Sequence, residues 1–232
     1  ILKAKLEILD GMTEDGKLIV CGDNDLLGKL SPQKVDVVFY GFTADKPYKA
    51  EHIVSEGEYT RAHITTPSAS YEIEIKALGE HMIYNVLAGI AVAENCGLTE
   101  EEIKRGLQTY APTKMRMHIT KGMNNMTLID DTYNASPESM KAALKVLKDF
   151  DSKGRKVAVL GDMLEQGEFA QVLHESVGEA AAQLGIDLLC AVGPLARHIY
   201  EGAKKVGNIT VIYYETKEAW MQNKDQFLQA ED

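Results

Sequence analysis

The sequence predicts an α/β fold with a mostly parallel sheet, and three observations carry that reading. After Pro112, short apolar runs alternate with longer segments of helical period. Two of those runs, VAVLG and LLCAVG, are continuously apolar, as strands covered on both faces should be. The chain also changes character near Ala111-Pro112, which divides it into two domains.

In the first part, ILKAKLEIL opens in helical rhythm. Three β-like stretches follow: KLIVCG (Lys17–Gly22), VDVVFYGF (Val35–Phe42) and SYEIEIKAL (Ser70–Leu78). The last alternates Tyr and Ile against Glu and Lys, the pattern of a half-buried strand. EHMIYNVLAGIAVAENC (Glu80–Cys96) is apolar nearly all round, which predicts a deeply buried helix. Thr99 then caps a helix through EEIKRGLQTY, with acidic residues in its first turn as the helix dipole prefers.

In the second part, MRMHIT (Met115–Thr120) and MTLIDD (Met126–Asp131) flank KGMNN and read as a hairpin. A turn through Gly122–Asn125 sets Lys121 against Met126. Counting back, Arg116 then faces Asp131, an ion pair worth about 0.2–1 kcal/mol when exposed. Helix Pro137–Phe150 follows, started by Ser136 as N-cap and Pro137 at the first position. Its buried stripe is Met140, Ala143, Leu144, Leu147 and Phe150. Strand KVAVLGD, helix Glu168–Leu184, strand DLLCAVG, helix Ala196–Val206, strand TVIYYET and helix Lys217–Leu228 complete four strand–helix pairs in one sheet.

A chain of 232 residues with 45% hydrophobic and 26% charged content is an ordinary globular protein with a real core. A net charge of −10 argues against nucleic-acid and anionic-membrane partners. Cys21, Cys96 and Cys190 are scattered, with no CxxC or Cys/His cluster. They read as reduced, mostly buried thiols of a cytoplasmic protein without structural zinc. No run has membrane-spanning length, and the start does not look like a signal peptide. The opening lacks Met, so the expectation is a fragment with sequence missing upstream.

Parallel sheets bind ligands at the carboxyl ends of their strands. Here those ends read Asp130-Asp131, Gly161-Asp162, Gly193-Pro194 and Glu215-Thr216. In a cleft, Arg116 and Asp131 would be oriented towards a ribose or phosphate. The aspartates equally fit a strand end whose carboxylates accept loop amides. Packing leaves Tyr133 and Asn134 unexplained, in a loop where binding residues tend to sit. Asp162 and Glu165 suit a cation, a substrate amine or a solvated loop. His81 and Asn85 share a helix face and need partners, either a bound base or ribose or a neighbouring carbonyl. His174 reads as a lone helix histidine and Trp220 as a packing residue. No G-x-x-x-x-G-K-[ST] or G-x-G-x-x-G loop occurs, so no triphosphate is cradled by that route.

LIDDTYNASPESMKAAL resembles the IDDSYNANPxSMxAAL signature of the Mur ligases of peptidoglycan synthesis, in the branch that adds D-alanyl-D-alanine. VAVLGDMLEQGEF is similar to xVLGDMxELG, with Gln166 where Leu is usual. GEHMIYNVLAGIAVA is similar to GxHNVxNALAAIAVA, with Met82 in place of Asn. KAKLEILDGM is similar to aKgEIxxGl. Cys21 replaces the Asn of the usual NxD, KMRM replaces GRM, and the final vLvKGSr strand is not found.

The resemblance implies that residues 1–112 are the later part of the central ATP-binding domain. Residues 113–232 would be the Rossmann-like C-terminal domain, truncated at its end. It implies an ATP-dependent amide ligase with magnesium. ATP phosphorylates the terminal carboxylate of a UDP-MurNAc-tripeptide, the amine of D-Ala-D-Ala attacks the acyl phosphate, and phosphate leaves. Lys5 matches the lysine that is carbamylated to serve catalysis and a metal. His81 and Asn85 match the helix start that meets adenine, and Arg116 and Asp131 the phosphate- and ribose-contacting pair. Asp130, Tyr133, Asn134 and Ser136 belong to the loop facing nucleotide and dipeptide, and Asp162 and Glu165 to the amine-side pocket. A monomer, inactive as a fragment, is expected. Two other readings are a receiver-type signalling domain and a nucleotide-free interaction module. LLCAVGP lacks the acceptor Asp that a receiver needs.

Overall fold

A computed structural model describes residues 2–32, 34–43, 45–122, 125–230 and 232. They form two compact units, Ile1–Ala111 and Pro112–Asp232.

The first unit is built on a five-stranded sheet in sequential order. Its strands are β1 (Lys17–Cys21), β2 (Asp36–Gly41), β3 (Tyr48–Glu56), β4 (Tyr59–Thr65) and β5 (Ser70–Ile75). The first three run parallel, and β3 to β5 form an antiparallel meander. Period-two burial orients the meander: Thr60, Ala62 and Ile64 of β4 and Tyr71, Ile73 and Ile75 of β5 point inward. Helix α2 (His81–Asn95) lays Ile83, Leu87, Ile90 and Ala91 on that face. Each such fully buried branched side chain contributes about 1.5–3 kcal/mol. Helix α3 (Glu100–Gln108) starts at a capping box between Thr99 and Glu102 and buries Ile103. The short α1 (Leu2–Leu6) runs into a 3-10 turn, Glu7–Gly11, with Leu9 and Met12 against Leu18, Val20 and Val35.

The sequence reading missed β3 and β4. A register shift between Glu51 and Val54, with His52 at φ 52°, breaks the alternation that would have marked β3. Nor is α2 buried all round. Asn85 and Gly89 are not buried and Val92 is 49% exposed, because its apolar look comes partly from small residues on an outer face.

The second unit has a three-stranded parallel sheet in the order β10 (Thr210–Tyr214), β9 (Leu188–Val192), β8 (Val157–Leu160). The central β9 is covered on both faces. Leu189 and Ala191 meet Val177, Ile199 and Ala203, while Leu188 and Cys190 meet Trp220. The covering helices are α4 (Pro137–Asp149), α5 (Ala170–Gln183), α6 (Arg197–Val206) and α7 (Lys217–Asn223). Helices α5 and α6 meet through Gly178 and Gly202. A Cβ at Gly178 would lie 1.9 Å from the Ile199 carbonyl, and one at Gly202 would lie 2.1 Å from the Glu175 carbonyl. Only glycine permits that approach.

Two expectations change here. The strand at MTLIDD does not join the parallel sheet: β7 (Thr127–Asp130) pairs with β6 (His118–Lys121) as a separate antiparallel ribbon. Beyond that pairing, the Thr127 amide donates to the Asp232 carbonyl at 3.1 Å. The Asp232 carboxylate is in turn held by Arg155, which lies just before β8 (2.7 and 2.9 Å). The register also differs by one residue. Lys121 faces Thr127 and His118 faces Asp130, with Gly122 N–H donating to Met126 O at 2.8 Å. The turn residues Met123 and Asn124 lie outside the described residues. Of the cysteines only Cys190 is buried; Cys96 is exposed at the end of α2, and all three are free. No helix among the described residues is long and apolar enough to cross a membrane.

Candidate functional site

At the carboxyl end of β7 the backbone turns sharply. Asp130 Oδ1 accepts from both the amide (3.2 Å) and the hydroxyl (2.7 Å) of Thr132, so this carboxylate holds the loop. Asp131 Oδ1 accepts the Met117 N–H at 3.2 Å, and its Oδ2 makes no hydrogen bond among the described residues. The expected Arg116–Asp131 ion pair is not formed, since the one-residue shift in register sets Met117 opposite Asp131. The Arg116 guanidinium instead lies over the Tyr133 ring, 4.3 Å from its centroid. Such a contact contributes about 0.5–1 kcal/mol at an exposed site. Met115 (φ 63°) and Met117 (φ 46°) are both left-handed, and the Tyr133 N–H donates to Met115 O at 3.2 Å. The strip thus brings Arg116, Asp131 and Tyr133 together, with Tyr133 66% exposed.

Asn134 Oδ1 accepts the Ala135 amide, and its side chain is exposed. Ser136 caps α4 through a reciprocal box with Ser139, and Pro137 stands at the first helical position. Ser136 therefore has a structural task already.

So does Asp162. Its Oδ1 accepts the Ala196 amide at the start of α6 (2.6 Å). The carboxylate rests against Gly193 (φ 129°), where a Cβ would lie 2.3 Å from Oδ1. Asp162 ties the loop after β8 to the loop after β9. His174 is fully buried; its Nε2 accepts the Met163 amide (2.9 Å), so the proton sits on Nδ1, which donates to Ala170 O (2.6 Å). Glu165 is exposed in the same loop, at φ 60°.

In the first unit, His81 opens α2 half-buried and Asn85 lies one turn on, its amide 3.7 Å from Met82 Sδ. Lys5 is exposed on α1, whose first turn has no acidic residue. Magnesium wants about six oxygen ligands. Among the described residues the only group of three candidate ligand side chains is Glu175, His198 and Glu201, with ligand atoms within 4.8 Å of one another. It contains an imidazole, and both carboxylates are paired, with Lys205 and with Arg197 and His198. The residues present therefore do not assemble a magnesium site by themselves.

Sequence reasoning gave no role to Asp23, the acid of the NxD stretch just after β1. Its carboxylate accepts from Phe42 N–H (2.5 Å), Thr43 Oγ1 (2.8 Å) and Tyr84 OH (3.1 Å). Burial pushes this carboxyl up, but the three bonds outweigh it and hold it below the usual carboxylate range. Burial, then the bond to Asp23, pushes the Tyr84 hydroxyl well above the usual phenol value. The signal was the acid in Cys21-Gly22-Asp23, directly behind an apolar strand.

The family model described as "Mur ligase middle domain" matches residues 1–93, and that described as "Mur ligase, glutamate ligase domain" matches residues 115–232. A Bacillus subtilis protein named UDP-N-acetylmuramoyl-tripeptide--D-alanyl-D-alanine ligase is 35% identical over 205 residues, which are 88% of this chain and 44% of that protein. The Escherichia coli protein of the same name is 33% identical over 214 residues, 89% of this chain and 46% of its own. A crystal structure of MurF from Acinetobacter baumannii aligns with a TM-score of 0.87 at 27% identity, covering 97% of this chain and 48% of that one. The chain thus spans less than half the length of the curated relatives named here.

Proposed function

The chain belongs to the Mur ligase family, and on that premise we propose that it serves an ATP-dependent amide ligase adding D-Ala-D-Ala to a UDP-MurNAc-tripeptide. Residues 1–112 are in this reading the later part of the central ATP-binding domain, and residues 113–232 the C-terminal domain. The reaction runs through an acyl phosphate, so the enzyme must hold a nucleotide and exclude water until the amine arrives. Acting on ATP and a UDP-linked precursor, it would work in the cytoplasm, as a monomer.

One observation carries the assignment of the site. The Arg116 guanidinium, the Asp131 carboxylate and the Tyr133 ring gather at the carboxyl end of β7. A carboxylate with an open oxygen suits ribose hydroxyls, and a guanidinium suits a phosphate. His81 and Asn85 are assigned to adenine by motif and helix position. Tyr133, Asn134 and Glu165 face solvent and remain assigned to substrate. Asp130 and Asp162 each hold a loop through Oδ1 and Ser136 caps α4, so these three keep their substrate assignment through the loops they shape. Lys5 keeps its assignment as the carbamylated lysine.

The full-length gene product should release phosphate from ATP only with UDP-MurNAc-tripeptide and D-Ala-D-Ala both present. Asp131→Ala should raise the KM for ATP about tenfold, the low end for a lost hydrogen bond to a charged group. Phosphate release without the dipeptide, or labelling of an aspartate by a small phosphodonor, would refute the ligase reading. The second result would favour a receiver.

A further inference from the structure

We propose that Asp23 is a positioning residue of the nucleotide site: it latches the first turns of α2, and with them His81 and Asn85, to the carboxyl ends of β1 and β2. The proposal rests on the nucleotide reading of α2 given above.

The geometry is specific. Three donors from two places in the chain converge on one carboxylate: the Phe42 amide and Thr43 hydroxyl after β2, and the Tyr84 hydroxyl of α2. The fit to β2 is tight enough to dictate its last residue. A Cβ at Gly41 would stand 2.5 Å from both Asp23 carboxylate oxygens, so no other residue fits without moving the acid. Above the acid, the Phe42 ring stacks on the Tyr84 ring at 3.9 Å between centroids and 25° between planes. Tyr84 is three residues after His81 and adjacent to Asn85. Fixing Tyr84 therefore fixes the rotation of α2 about its axis, and so the directions in which both residues emerge.

Asp23 is not placed to bind the ligand itself. Both of its oxygens are already engaged within the protein. The carboxyl is held in its charged form and the Tyr84 hydroxyl in its protonated form, so the pair keeps one hydrogen-bonding pattern at neutral pH. A pre-formed helix start spares a nucleotide the cost of ordering it.

The test compares Tyr84→Phe, Asp23→Asn and Asn85→Ala in the full-length gene product, reading KM for ATP, kcat, and amide exchange over Ile83–Val86. Tyr84→Phe and Asp23→Asn should raise the KM for ATP fivefold or more and leave kcat within twofold. Exchange over Ile83–Val86 should quicken at least tenfold, with Ile64 and Ile73 unchanged. Tyr84→Phe removes a single oxygen and keeps the aromatic stack, so it remains informative if Asp23→Asn fails to fold. Faster exchange with an unchanged KM would mark a purely structural tie and overturn the proposal. If Asn85→Ala raises the KM and the other two do not, the positioning role falls and the nucleotide reading stands. If Asn85→Ala has no effect, the nucleotide reading of α2 falls and takes this role with it.

Discussion

Replacing Gly178 or Gly202 by alanine sets two effects of known sign against each other. Helix propensity alone favours alanine by about 1 kcal/mol. The seam between α5 and α6 opposes it. The new methyl at position 178 would need about 1.5 Å more room to reach ordinary contact with the Ile199 carbonyl, and that at 202 about 1.3 Å from the Glu175 carbonyl. Both obstacles are backbone, so no side chain can swing aside and one helix must shift bodily. Overpacking of this kind costs about 1–3 kcal/mol, and a gap of 0.5–1 Å already forfeits about a quarter to a half of each facing dispersion contact. The seam includes Val177, Ile199 and Ala203, all fully buried. Overlaps this deep with backbone take the upper end of that range, about 3 kcal/mol, which less the propensity gain leaves a net loss of about 2 kcal/mol for each substitution, or about 1 M in urea midpoint at the m-value of a small domain. Trp220, the only tryptophan, is buried in the second unit and reports its unfolding by fluorescence. Gly89 in α2 and Gly106 in α3 are the controls, since nothing lies within 4 Å of a Cβ at either. Alanine there should stabilise the first unit by about 0.5–1 kcal/mol, read by far-UV circular dichroism. A rise in urea midpoint for Gly178→Ala would refute the steric argument.

Two further outcomes follow from burial. Tyr71 is 5% exposed and its hydroxyl has no hydrogen-bond partner among the described residues, so Tyr71→Phe should raise stability by about 1 kcal/mol in thermal melts. A loss of similar size would show that the hydroxyl is satisfied after all, for instance by a bound water. Burial pushes the Cys190 thiol up to about 12, whereas Cys96 is exposed. A thiolate-seeking reagent should label Cys96 first and reach Cys190 only in denaturant, and equal native rates would contradict that order.

Elements whose burial is set by their own side-chain period were legible in the sequence. β5 shows its alternation, β9 shows an unbroken apolar run covered on both faces, and α4 announces itself through Ser136 and Pro137; the apolar run of β8 marked the strand but not its covering, since β8 is an edge strand with Val159 48% exposed. β3 was hidden because the shift near His52 interrupts its period. The β6–β7 register was beyond counting, because neither MRMHIT nor MTLIDD alternates cleanly enough to reject a one-residue slip, and the Gly122–Met126 closure decides it. The Asp23 latch joins residues 19, 20 and 61 positions apart, a convergence that only the folded chain displays. Arg116, Asp131 and Tyr133 were named as candidates from the hairpin count, the loop and the motif. Their actual partners were not, since these follow from the register.

Met115 sits directly before Arg116 with its backbone in the left-handed region, at φ 63°. Any side chain with a β-carbon is disfavoured there by about 1–2 kcal/mol, and a β-branched one by more. Methionine is thus tolerated at that point rather than preferred, and the GRM motif that this stretch resembles carries glycine at the same place. The left-handed backbone at position 115 favours Gly, Asn or Asp, whatever the neighbouring arginine meets. Met115→Gly would give a sturdier version of the same site, and Met115→Val a damaged one.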